Sequence, residues 1–151
     1  MQRLFIIILL AFVIGSCSSN KEKLQQISWL KGSWSRQYNG VTQTENWNIT
    51  DSSILGDLYF VHNNDSSLMS SYEIKIKENN IILVTHETEF ESIVEYQLSY
   101  FSKDSLIFKT KYPVWPSEIL IYHQTINTYI KSLSGQQQQM NNYVHFQFIK
   151  D

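Results

Sequence analysis

The sequence predicts an all-β fold, an antiparallel β-barrel with one short helix before it, and three observations predict it. Aromatic residues make up 14% of the chain while Gly 5 and Pro 2 are scarce, a composition that suits strands packing on a pleated surface. Short runs of two-residue alternation recur along the chain, nine or ten of them after Gly32. Tight turn signals join most of these runs, which implies consecutive antiparallel neighbours rather than crossovers. A meander of this length leaves two bare edges, and closing it into a barrel removes both. A two-sheet sandwich is the alternative, because strand number alone does not separate the two.

The elements follow in order. Leu24, Ile27, Trp29 and Leu30 recur with helical spacing, and Gly32 stops the run. Trp34, Arg36 and Tyr38 then alternate with Ser33, Ser35 and Gln37 up to the Asn39-Gly40 hairpin signal. The returning strand sets Glu45, Trp47 and Ile49 on one face and Thr44, Asn46 and Asn48 on the other. Residues 54–62 form the third strand, in which Gly56 predicts a bulge or bend, and residues 63–67 form a turn. Strands over 68–77 and 81–86 are joined at Asn79-Asn80. The strand over 93–101 carries Val94, Tyr96, Leu98 and Tyr100 on one side, and a turn at 102–105 leads to 106–111. A proline-bounded loop over 112–117 precedes strands at 119–125 and 128–133, a polar loop over 134–139, and a last strand at 143–149.

The N-terminal end reads as an export signal. Arg3 precedes an apolar run from Leu4 to Ile14 that is short for a membrane span, followed by small residues. Ile14-Gly15-Ser16-Cys17 resembles a bacterial lipobox, in which the cysteine is acylated and becomes the new N-terminus. Cys17 is the one cysteine, so no intramolecular disulfide is expected, and acylation would remove a free thiol from an oxidising compartment. The expected organisation is a lipoprotein signal peptide over 1–16, a tether over 17–27 and one barrel domain over 28–151. Its partner is membrane lipid through acylated Cys17. Its location is the cell envelope, lipid-anchored, with outer-membrane attachment favoured because Ser18 stands where a retention aspartate often does. The formal charge of -2 and the lack of a basic stripe speak against nucleic-acid binding.

Trp29-Leu30-Lys31-Gly32-Ser33-Trp34 resembles the opening of lipocalin and wider calycin barrels, where a helical turn, a glycine and a tryptophan begin the first strand. Glu45-Asn46-Trp47, Ile54-Leu55-Gly56 and Trp115-Pro116 with Ile119 and Tyr122 are similar to domain-of-unknown-function family 6265 of bacterial secreted proteins and lipoproteins. The resemblance spans Trp29 to about Tyr122. It implies a lipocalin-like barrel whose first tryptophan plugs the closed end. That family often carries a histidine and an aspartate before the aromatic-proline step, and Tyr112-Pro113-Val114 stands there instead.

No residue pattern marks a catalytic centre: no serine sits in a nucleophile elbow and no Gly-rich phosphate cradle occurs. The expectation is no catalytic residues, no metal and no cofactor. Among the histidines, none stand at a metal-ligand spacing within one element. His145, then His123, are the candidates for a haem ligand of the kind related barrels hold, against the simpler reading of a satisfied or solvent-facing imidazole. Glu87, Glu89 and Glu91 would project together as a Ca²⁺ cluster if their strand continued, against a solvated hairpin. Trp34, Trp47, Tyr96 and Trp115 are the candidate ligand-binding residues, with core packing as the alternative for the tryptophans.

These features predict a binding module for a small apolar or amphipathic ligand. The alternative is an envelope protein acting through its outer surface over a filled barrel. An open, mostly apolar interior of about 300 Å³ or more favours the first, and a barrel packed with tryptophan and tyrosine the second.

Overall fold

A computed structural model describes residues 19–63, 65–137 and 140–151. The first element is a helix, α1 (Asn20–Gln26), and its start is set by a capping box. The Ser19 hydroxyl accepts from the Glu22 amide at 3.2 Å, and the Glu22 carboxylate accepts from the Ser19 amide at 2.8 Å. The helix therefore begins inside the segment expected to serve as a tether. A single 3-10 turn over Ser28–Leu30 follows. Gly32, at φ +130°, then turns the chain into the sheet in a conformation that side-chain-bearing residues rarely adopt.

Ten strands complete the chain: β1 (Gly32–Tyr38), β2 (Val41–Ile49), β3 (Ser53–His62), β4 (Asp65–Lys77), β5 (Asn80–Glu87), β6 (Ser92–Phe101), β7 (Ser105–Lys109), β8 (Glu118–Thr125), β9 (Thr128–Gln137) and β10 (Met140–Lys150). Each pairs antiparallel with the next, and β10 returns to β1 to close the barrel. The sandwich alternative is thereby overturned. Closure is the narrowest seam, with two residue pairs, Trp34 with Lys150 and Ser35 with Ile149. The Asp151 carboxylate reinforces it by accepting from the Ser33 hydroxyl at 2.7 Å and from the Ser35 hydroxyl.

Three expectations are corrected by pairing. The alternation of β6 breaks at a register shift between Leu98 and Tyr100, so Tyr100 is exposed and Phe101 packs on the core instead. Residues 134–137 continue β9 rather than forming a loop, because the Gln137–Met140 and Gln136–Asn141 register satisfies the backbone whatever the side chains are. Gly56 is no bulge: it pairs regularly with Trp47 on β2 and Tyr72 on β4. The actual irregularity falls two residues on, between Leu58 and Tyr59. A Cβ on Gly56 would lie 2.5 Å from the Trp47 indole, so the missing side chain leaves room for the Trp47 and Tyr72 rings to stack across it at 5.6 Å.

The core sits under α1. Leu24, Ile27 and Leu30 pack with Trp34, and the Trp34 indole donates to the Leu30 carbonyl at 2.8 Å. Tyr129 meets Trp34 edge-on at 5.0 Å and stacks on Phe148 at 5.0 Å. From this plugged end the inward faces change character along each strand. On β5 they pass from Ile81 and Leu83 to Thr85 and Glu87, on β2 from Trp47 to Glu45 and Gln43, and on β1 from Trp34 to Arg36. The apolar half fills the barrel, and the polar half leaves a space.

Candidate functional site

That space is a cavity of about 200 Å³ inside the barrel, short of the roughly 300 Å³ that would favour ligand binding over a filled barrel. Its walls mix apolar side chains, among them Leu58, Phe60, Leu133 and Phe146, with four charged ones, Arg36, Glu45, Glu87 and Lys131.

Glu45 and Lys131 form the base. Both side chains are buried, and the Lys131 ammonium bonds Oε1 of Glu45. The Tyr129 hydroxyl donates to Oε2, and the Trp47 indole donates to the same oxygen at 3.2 Å. The Lys131 ammonium also lies 4.0 Å from the centre of the Tyr72 ring. Burial by itself pulls the Lys131 pKa down. The Glu45 carboxylate and Tyr72 outweigh that, so the net shift is upward and the ammonium stays charged. Burial, then the neighbouring Glu45 charge, pushes the Tyr129 phenol well above its usual range. Burial also raises Tyr72, against an opposing pull from Lys131. Among the described residues, no buried side-chain polar atom here lacks a partner. A buried ion pair whose carboxylate also accepts two neutral hydrogen bonds is stable as a unit and costly to break on one side.

Higher in the wall, Arg36 lies over the Phe146 ring at 4.0 Å and donates from Nε to the Gln43 side-chain oxygen at 2.5 Å. Burial is the main influence on its pKa and acts downward. Glu87 accepts from the Ser70 hydroxyl at 2.7 Å. Tyr96 stands beside it and donates to the Pro116 carbonyl at 2.9 Å, holding the 110–117 connection against the cavity. Burial first, and the Glu87 charge second, push the Tyr96 pKa up to about 12. The same connection is seated on Gly135, where a Cβ would come 2.9 Å from the Ser117 backbone nitrogen.

The four residues expected to bind a ligand divide accordingly. Tyr96 lines the cavity. Trp34 belongs to the plug beneath it, and Trp47 lies below the cavity in the apolar half of the interior, where its indole donates to Glu45 and stacks on Tyr72. Trp115 is half-buried in the connecting loop, and Pro116 takes the place in the wall instead. Cys17 lies outside the described residues.

Neither histidine proposed for haem reaches the interior. His145 is exposed on the outer face, 3.1 Å from the Ser132 hydroxyl, and His123 stacks on Trp29 at 4.5 Å. The Ca²⁺ reading fails for a local reason. The strand ends at Glu87, a turn occupies residues 88–91, and Glu87 turns inward. Among the described residues, no three His, Cys, Asp or Glu side chains gather as a metal site.

Glu45 and Lys131 were missed as a pair, although a signal existed. Glu45 shares the face of Trp47 and Ile49, and Lys131 shares the face of Tyr129 and Leu133, so each is a charge on an inward face. Together these features define a closed ten-stranded antiparallel barrel, plugged at its helix end and hollow with balanced charge at the other. Protein-family models, curated proteins and solved structures provide no match to this chain.

Proposed function

We propose that this protein is an exported, lipid-anchored binding module that takes one small amphipathic guest into the hollow half of a lipocalin-like barrel. The observation that carries the reading is the cavity itself, in which apolar walls adjoin the charged groups Arg36 and Glu87. Its volume of about 200 Å³ falls below the roughly 300–1,000 Å³ of sites for drug-sized ligands, so the guest is correspondingly small. A purely apolar guest fits poorly, because it would desolvate those two charges without replacing their water.

The Ile14-Gly15-Ser16-Cys17 sequence, behind the signal-peptide pattern of residues 1–16, supports the anchor. So does the position of α1, which begins three residues after Cys17 and lies at the plugged end. An acyl anchor there directs the hollow half away from lipid. Several acyl chains are needed for durable attachment, since each buried methylene contributes about 0.8 kcal/mol.

Two measurements test the reading. Cys17→Ser moves the protein from the membrane fraction to the soluble one, and persistence on membranes at high salt would refute the anchor. Native mass spectrometry of the detergent-free domain shows a retained small molecule at one equivalent. An unliganded mass that stays unliganded on exposure to cell extract would refute the binding module.

A further inference from the structure

Of the four charges around the cavity, two neutralise each other and two do not. Lys131 and Glu45 are paired, and Tyr129 and Trp47 occupy the remaining carboxylate oxygen, so this group offers a guest no open charge. Arg36 is different. No carboxylate forms an ion pair with it among the described residues; its guanidinium lies over Tyr38, Phe146 and Phe148, and its one side-chain hydrogen bond among those residues uses Nε, which leaves both terminal nitrogens without a hydrogen-bond partner there. Glu87 is the complement: Ser70 bonds Oε2, and Oε1 has no partner among the described residues.

The barrel sets these two groups well apart. Arg36 is on β1 and Glu87 on β5, with β2, β3 and β4 between them. Neighbouring strands are about 4.8 Å apart, so the two backbones stand roughly 19 Å apart along the wall, and the side chains reach inward from there to shorten the gap. In a ten-stranded barrel that places them on nearly opposite sides of one cavity. Leu58 and Phe60 of β3 line the span between them.

From this arrangement, and resting on the binding-module reading, we infer that the cavity recognises a short zwitterion, carboxylate on Arg36 and ammonium on Glu87, with its apolar middle against Leu58 and Phe60. A guanidinium suits a carboxylate because its planar N–H groups match the two oxygens. Selectivity follows from the unpaired partner. A simple anion leaves Glu87 desolvated and repelled, a simple cation does the same to Arg36, and a neutral guest strands both. The cavity of about 200 Å³ equals roughly seven waters at about 30 Å³ each, which suits a guest of amino-acid size.

The test uses the chain from Ser19 to Asp151, which contains the whole barrel and its core. Calorimetric titration compares the series from 4-aminobutanoate to 8-aminooctanoate with hexanoate, hexylamine and hexanamide. At least one member of the series is expected to bind ten times more tightly than the three others. Arg36→Gln should reduce its affinity about tenfold while leaving hexylamine binding intact, and Glu87→Gln should do so while leaving hexanoate binding intact. Arg36→Lys, which keeps the charge, should retain part of the affinity and guards against a folding defect in the glutamine variant. Equal affinity for zwitterions and singly charged probes overturns the zwitterion assignment and leaves the binding module standing. Binding of no probe overturns the assignment too, and a native mass spectrum without any guest then removes the module with it.

Discussion

Replacing Lys131 with methionine removes the ammonium and leaves Glu45 fully buried with only two neutral donors, Tyr129 and Trp47. Breaking a buried pair from one side costs about 3–5 kcal/mol. The two remaining hydrogen bonds put Lys131→Met near the lower end of that range. For a domain of this size each kcal/mol shifts Tm by about 3–5 °C, so a fall of roughly 10 °C is expected. Removing both charges tells a different story. In Glu45→Gln/Lys131→Met neither member of the pair is left charged, the glutamine can still accept from Tyr129, and stability should return to within about 1 kcal/mol of the parent. Urea unfolding followed by tryptophan fluorescence on the four proteins of this cycle reads the coupling directly. Single variants that each cost under about 1 kcal/mol, and simply add in the double, would refute the view of a closed ion pair at the cavity base.

Two further outcomes follow from the same region. Gly56→Ala places a methyl group 2.5 Å from the Trp47 indole, and overpacking of this kind costs about 1–3 kcal/mol. Gly56→Ala should cost less in a Trp47→Leu background than in the parent, and a Gly56→Ala protein as stable as the parent in urea would contradict the stacking explanation. The Tyr96 phenol, with its pKa raised to about 12, favours the folded state in its neutral form. Its contribution is therefore complete below pH 10, the ordinary tyrosine value, and is lost as pH rises from there through about 12. Urea midpoints across that window should fall more steeply for the parent than for Tyr96→Phe, and parallel curves would argue against the shift.

Much of the fold was legible because a strand's two faces are a local property. Alternation put Glu45, Trp47 and Ile49 on one face, the Asn39-Gly40 step is a real hairpin turn, and Asn79-Asn80 marked a real hairpin whose turn falls one residue earlier, at Glu78-Asn79. The failures have specific causes. Tyr100 was read inward because nothing in its neighbours signals the register shift that turns it out. Residues 134–137 looked like a loop because their polarity was taken for irregular backbone, whereas a hairpin with both faces in water needs no apolar residues. Gly56 carried a true signal with the wrong meaning, since its lack of a side chain serves the Trp47–Tyr72 stack and leaves the ladder regular. Of the expected ligand residues only Tyr96 lines the cavity, because Trp34 and Trp47 fill the apolar half beneath it and Trp115 stays in the connecting loop.

By itself, the order of amino acids determined which segments extend, where they reverse, and which side chains share a face, because period-two alternation and turn chemistry act over a few residues. It also set charged residues among the inward positions of β1, β2, β5 and β9. Only tertiary structure decided which of those charges meet. Glu45 and Lys131 lie 86 positions apart, and their strands face each other only after β10 returns to β1. The same closure left Arg36 and Glu87 without an ion-pair partner among the described residues. Pairing across a closed barrel depends on strand number, shear and packing of the whole sheet, and no short stretch of chain encodes these.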